Sequence, residues 1–521
     1  MSSPDPRGNP GGTRHAEALA AAESALWRMM SFYDTPLADL DAASAHDPGW
    51  SLPHVMRAGF LLSLTEPALV AEAGQHLQRA RELCDGAPAR ERTHLEAVQA
   101  VFDGRWQAAC RIWDELLVEY PRDALALQWA QLWDFYRGDA ANLRLRPARA
   151  LPEWDEADPL FPYLLSLYAF GLEESNLYPQ AEEAGRRALS LNPKVPWAVH
   201  AVAHVMEMQG RFEAGGAWLR QYQDHWSEGN GFSGHLWWHK GLFRLEALDL
   251  EGALRLADKR LAPEQLQITL QRVDAAALLW RLRLLGVDVM SRSVRLLEGW
   301  DLSPEGAGYY AFNDLHAVLA MLGAGEFTRA EAWVARCAER ALAADDARRS
   351  NHGMARETGL PLMRALLAYE RGDFDAAADA LYARAEAGIS GLPVACQPGI
   401  RAAGRVYAEI GREVERRKLD SVTDRAVVTG RRKAQLIFGA TLDTVRPRQA
   451  LHAPALEETR FLVEAAALDG APSQGAVALG WGETFERFDR RVEWLVGLFD
   501  RLEREHRSRQ PGARAPARAA V

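Results

Sequence analysis

What this chain lacks narrows its possibilities before any motif does. Its four cysteines, Cys84, Cys110, Cys337 and Cys396, stand far apart with no C-x-x-C pair. That spacing excludes a dense disulfide framework, so the thiols read as reduced, buried small residues. No stretch reaches 18 uncharged apolar residues, and the opening "MSSPDPRGNPGGTRHAEAL" has no apolar signal core. A cytoplasmic location with no membrane partner is the expectation. Positive charge is not in excess either. The net charge is -10, which leaves nothing to draw the chain as a whole to a phosphate backbone and excludes nucleic acid as a partner. G-x-S-x-G, the P-loop and H-E-x-x-H are all missing, so the standard serine-hydrolase, nucleotide and zinc-protease motifs are excluded.

What is present is helix after helix. At 521 residues, 48% hydrophobic and 25% charged, the chain can bury an extended core, and its seventeen tryptophans suit helix packing or the lining of a binding groove. The turns "GRW", "YPRDA", "LNPKVP", "QGRF", "LGAGEF" and "RGDF" separate amphipathic runs with Gly or Pro beside a charged residue, the punctuation of helical repeats. In "PYLLSLYAFGLEESNLYPQAEEAGRRALSLNPKV" the residues Tyr178, Ala181, Ala188 and Pro193 match a tetratricopeptide unit of about 34 residues beginning at Pro162. The next unit begins at Pro196, and an earlier copy ends at Pro121 with Ala109 and Trp113 in register. The expected fold is all-α, a tetratricopeptide-type helical-repeat superhelix, or α-solenoid, of about twenty helices. Residues 1–13 and 508–521 read as disordered tails, 14–388 as the repeat array, 389–450 as a partly helical insertion with a basic excess, and 451–507 as C-terminal repeat helices.

The ordered run "GLEESNLYPQAEEAGRRAL", "HAVAHVMEMQGRFEAGGAWL", "HLWWHKGLFRLEALDLEGAL", "DAAALLWRLRLLGVDV", "FNDLHAVLAMLGAGEF" and "GLPLMRALLAYERGDF" resembles the tetratricopeptide repeat protein 38 family over roughly residues 15–388. The resemblance implies a single-chain array of tetratricopeptide-like repeats and carries no activity with it. The chain departs from that family near its C-terminus. The insertion precedes "LHAPALEETRFLVEAAALDG", where His452 is kept but Pro454, Ala455 and Leu456 replace the Gln, Arg and Asp the resemblance implies.

The candidate site comes from helical phase. In "WAVHAVAHVMEMQ", His200, His204 and Glu207 fall within roughly 60° of arc and leave the helix on one face. Resemblance to tetratricopeptide domains implies that repeat positions 2, 5, 9, 12 and 13 face the concave groove. Counted from Pro196 these hold Trp197, His200, His204 and Glu207, and counted from Pro162 they include Glu173 and Glu174. "HLWWHKGLFRLE" places His235, His239 and Glu246 on one face of the next helix pair, and "FNDLHAV" adds Asn313, Asp314 and His316. We take His200, His204, Glu207 and His239 as candidate catalytic groups, with Glu173, Trp197, His235, Glu246, Asn313, Asp314 and His316 as ligand-binding candidates.

Two histidines at i, i+4 with a carboxylate one turn on can hold a divalent metal. Without metal, a histidine paired with a carboxylate moves protons near neutral pH. The spacing leaves open whether any metal or other cofactor is bound. The competing reading makes the same residues inter-helix struts. Two function classes follow: a small-ligand site, catalytic or metal-binding, or a scaffold binding a peptide or protein partner in the groove. Oligomeric state is left open.

Overall fold

A computed structural model of the chain describes residues 3–343, 349–373, 397–416 and 428–445, with Ala377, Tyr382 and Ile389. These all belong to one compact unit, Met1–Arg460. The expected repeat helices of 451–507 and the tail 508–521 lie outside the described residues.

The described residues form helices joined by short turns, and among them no strand is present beyond one isolated bridge between Tyr33 and Asn230. The first hairpins are α1 (Ala16–Ser31) with α2 (Leu37–His46), α3 (Leu52–Ser63) with α4 (Val70–Leu83), α5 (Ala89–Phe102) with α6 (Trp106–Glu119), and α7 (Ala124–Arg137) with α8 (Ala140–Ala150). Then come α9 (Phe161–Glu174) with α10 (Tyr178–Leu191), α11 (Pro196–Met208) with α12 (Phe212–Gln221), α13 (Ser233–Glu246) with α14 (Leu250–Arg260), α15 (Thr269–Leu284) with α16 (Met290–Glu298), and α17 (Ala311–Gly323) with α18 (Phe327–Leu342). Helix α19 (Ser350–Met354) runs through a π-helical turn, Ala355–Gly359, into α20 (Leu360–Glu370). Finally α21 (Gln397–Arg416) packs on α22 (Gly430–Val445), both inside the segment read as an insertion. Among the described residues no helix is long and apolar enough to cross a membrane.

The repeat punctuation works as local chemistry. Asp123, Asp139 and Asp249 cap α7, α8 and α14, each accepting a bond from the backbone N–H three residues on at 2.9 to 3.0 Å, which satisfies donors the helix start leaves free. Gly104, Gly210, Gly325 and Gly372, one glycine from each of four quoted turns, take φ between 67° and 77°, a left-handed conformation that glycine enters without a steric penalty. Gly171 has another purpose. A Cβ there would lie 2.2 Å from the Leu143 carbonyl oxygen, so α8 and α9 approach backbone to backbone.

Helices of the odd-numbered series touch one another in succession, with α9 on α11, α11 on α13, α13 on α15 and α15 on α17, while their even-numbered partners pack behind. This order is compatible with a superhelix. Long-range hydrogen bonds also join segments far apart in sequence. Asp34 donates to the Gly229 carbonyl at 3.1 Å, Thr269 Oγ1 to Glu66 at 2.9 Å, and Tyr310 OH to the Tyr136 carbonyl at 3.1 Å.

The N-terminal segment differs from the disordered tail expected of it. Asp5 Oδ1 accepts from the backbone N–H groups of both Arg7 and Asn9 at 2.9 Å, Arg7 pairs with Glu23 at 2.6 Å, and Gly12 donates to the buried Glu91 at 2.6 Å. Its Pro/Gly composition suggests disorder, but those residues set turns, and the turns aim its charged side chains at buried partners.

Candidate functional site

Four histidines meet between α11 and α13. His200 and His204 lie one turn apart on α11, and His235 and His239 one turn apart on α13, as i, i+4 spacing on facing helices requires. One ligand nitrogen from each can be chosen so that all four lie within 4.8 Å of one another. His200 and His239 are 2% and 1% exposed. The Nε2 atoms of His200 and His235 are 3.0 Å apart, and those of His235 and His239 are 3.1 Å apart.

Carboxylates stand behind three of the rings. Glu173 of α9 reaches His204 Nδ1 at 3.2 Å, Asp274 of α15 reaches His235 Nδ1 at 3.0 Å, and Glu207 of α11 reaches His239 Nδ1 at 2.9 Å. Where the carboxylate is ionised it only accepts, so the facing Nδ1 carries the proton, and in a neutral ring Nε2 then presents a lone pair. Ring nitrogens from the two helices therefore face one another across the gap between them. This is the carboxylate–histidine arrangement that orients metal ligands. With metal–nitrogen bonds of about 2.0 to 2.1 Å, tetrahedral ligand nitrogens stand roughly 3.3 Å apart, near the 3.0 and 3.1 Å of two pairs here, within a set that spans 4.8 Å.

Charge follows burial and neighbours. Burial and the adjacent rings hold His200 and His239 well below the usual histidine range, so both stay neutral, as ligation requires. Burial also pulls on His204, but the hydrogen bond and charge of Glu173, aided by Glu207 and Glu174, outweigh it and the net shift is upward. Burial raises Glu207, against His204 and Arg281, and raises Glu174, with the Glu173 charge adding. Glu173, Glu174 and His204 form a second group of converging donors that shares His204 with the first.

An aromatic wall closes one side. The rings of Phe170, Trp197 and Phe232 lie 5.3, 4.9 and 5.0 Å from that of His200, and Phe32, at the end of α1, stacks on Trp197 and Phe232. Trp238 stacks on His235 at 5.2 Å.

The structure thus brings together His200, His204, Glu207, His239, Glu173, His235 and Trp197. It does not bring in four others expected there. Glu246 is exposed at the end of α13 and reaches the site only through its charge on Glu207. Asn313 donates to Thr65 Oγ1 at 3.0 Å, and Asp314 accepts from the Gly308 N–H at 3.0 Å, so both hold loops against α17. His316 donates to its own helix, at the Phe312 carbonyl, at 2.8 Å, and lies near enough to feel Asp274 and Arg281 without joining the four rings. The Asn313 and Asp314 side chains follow the turn of α17 away from the site, which repeat register alone does not reveal. Asp274 and Arg281 are site residues that the sequence reading misses. An aspartate inside the apolar run "VDAAALLW" is the signal that points to the first.

No family model matches the chain. It is 50% identical over 96 residues to the phytoene synthase of Cereibacter sphaeroides, a match covering 18% of this chain and 27% of that protein. It is 44% identical over 95 residues to the phytoene synthase of Rhodobacter capsulatus, covering 17% and 28%. The chain therefore spans less than a third of the length of the curated relatives it matches, and what it shares with them is a segment.

Proposed function

We propose that this chain is a metalloprotein in which a tetratricopeptide-type array of helices binds one divalent transition metal through His200, His204, His235 and His239 and presents it to a small ligand. The observation that carries the reading is the pair of 3.0 and 3.1 Å contacts between ring nitrogens. Opposite ends of three of these rings donate to carboxylates. Contacts this short between ring nitrogens need a proton or a cation between them, and imidazole donors suit zinc, copper, iron and nickel. A metal held there would supply Lewis acidity to a bound oxygen ligand. Glu173, Glu207 and Asp274 keep the rings in place and balance its charge.

Metal content of the full-length chain tests this. One equivalent of zinc or cobalt is expected to survive gel filtration, and His235→Ala with His239→Ala should abolish it. A wild-type chain that retains no metal overturns the reading.

A peptide lying along the same face is the commoner use of helical repeats, but here His200 and His239 are buried and Phe170, Trp197 and Phe232 pack against His200. That favours a small ligand. The similarity to phytoene synthases supports a second reading, in which the chain takes part in making phytoene. Phytoene formation by the purified chain, unchanged when His235 and His239 are replaced, would favour it over the metal centre.

A further inference from the structure

We infer that His200 marks the exchangeable position of the centre, where a small oxygen-donor ligand of the carboxylate or hydroxamate class replaces the ring on the metal, while His204, His235 and His239 stay bound. This rests on the metal reading above. The four rings are not equivalent. Glu173, Asp274 and Glu207 fix His204, His235 and His239 through Nδ1. His200 Nδ1 is buried and has no hydrogen-bond partner. A carboxylate behind a ligand ring fixes its tautomer and orientation and strengthens it as a donor. The ring without one is the weakest ligand and sacrifices no hydrogen bond at Nδ1 when it turns away.

The surroundings of His200 say what could take its place. Phe170, Trp197 and Phe232 pack against it, so the ligand has an apolar body. Trp197 is 8% exposed, and its indole Nε1 is buried without an acceptor. A buried N–H in that state costs about 1 to 3 kcal/mol, and an acceptor oxygen beside the metal would relieve it. A ligand with one oxygen for the metal and a second acceptor oxygen meets both needs. Three fixed protein ligands and one open position is also what distinguishes catalytic from structural zinc sites.

Cobalt(II) as the metal and acetohydroxamate as the ligand test the inference on the full chain. Wild type should bind one cobalt with a four-coordinate visible spectrum. His200→Ala should keep one cobalt per chain with affinity within about tenfold of wild type, and acetohydroxamate should perturb its spectrum at lower concentration. His204→Ala, His235→Ala and His239→Ala should each lose more than the roughly 10- to 100-fold that removing a ligand's supporting partner costs. His200→Gln, checked with His200→Ala by circular dichroism and thermal unfolding, separates a packing defect from a ligand effect. If both folded His200 variants lose cobalt as fully as His235→Ala, His200 is a permanent ligand and the inference is overturned. It is equally overturned if they keep cobalt with the wild-type spectrum and no response to acetohydroxamate. Failure of wild type to take up cobalt is a separate result that removes the metal reading itself.

Discussion

His235 and His239, one turn apart on α13, hold their Nε2 atoms 3.1 Å from each other while their Nδ1 atoms donate to carboxylates on two different helices, Asp274 on α15 and Glu207 on α11. Three helices are thereby committed to one pair of rings. Each carboxylate is a separate point at which the centre can be weakened without removing a ligand.

Asp274→Asn keeps an acceptor for His235 but removes its charge. Metal affinity, measured by competition with a chromophoric chelator, should fall by about tenfold to a hundredfold, the usual effect of altering a ligand's supporting partner. The metal-free melting temperature should change little, because one polar partner replaces another. An unchanged affinity would mean that Asp274 does not act on the metal through His235.

Metal removal should destabilise the array. Binding to the folded state alone adds about 2.7 kcal/mol when free metal exceeds its dissociation constant a hundredfold. Thermal unfolding with zinc and with chelator should therefore differ by several degrees. The difference should vanish in the His235→Ala, His239→Ala double variant.

Asp314 gives a pH dependence outside the centre. Burial pushes its carboxyl up to about 7, against the Gly308 N–H, Cys337 and Trp333. The folded protein therefore keeps a proton that the unfolded chain releases above about pH 3.9. Its contribution is fully present below that value and is lost as pH rises toward 7, because the unfolded state then binds fewer protons. Denaturant unfolding from pH 4 to 8 should show this decline, and Asp314→Asn should flatten it.

Gly171→Ala should lower the melting temperature. The added methyl would meet the Leu143 carbonyl at 2.2 Å, and forced separation of packed helices costs about 1 to 3 kcal/mol. Gly372→Ala makes a useful contrast, since its Cβ would meet nothing within 4 Å and only its φ of 76° opposes the change.

Helical hairpins are legible in this sequence because their signals are local: turn glycines, capping aspartates and apolar stripes. The shared face of His200, His204 and Glu207 is legible for the same reason, since phase within one helix needs only the sequence. Glu173 follows from repeat register, which carries phase from α9 to α11. Register fails further on. Asp274 lies where no tetratricopeptide signature marks α15, and its role depends on α15 packing beside α13, a tertiary fact. Asn313 and Asp314 show the opposite error. They occupy a polar stretch of the right kind, but loop contacts with Thr65 and Gly308 claim their side chains. The N-terminal segment misleads by composition, because its partners, Glu23 and Glu91, lie in helices made after it.

The bridge between Tyr33 and Asn230 also sets an order of events on the ribosome. Phe32, which caps the aromatic wall through Trp197 and Phe232, is synthesised about two hundred residues before Asn230, whose bridge to Tyr33 fastens it. At about 5 to 20 residues per second the nascent chain carries that ring without its native cover for roughly ten to forty seconds. His235 and His239 follow Asn230 in the chain, so the cover over the aromatic wall and the second pair of histidines arrive together, late in synthesis.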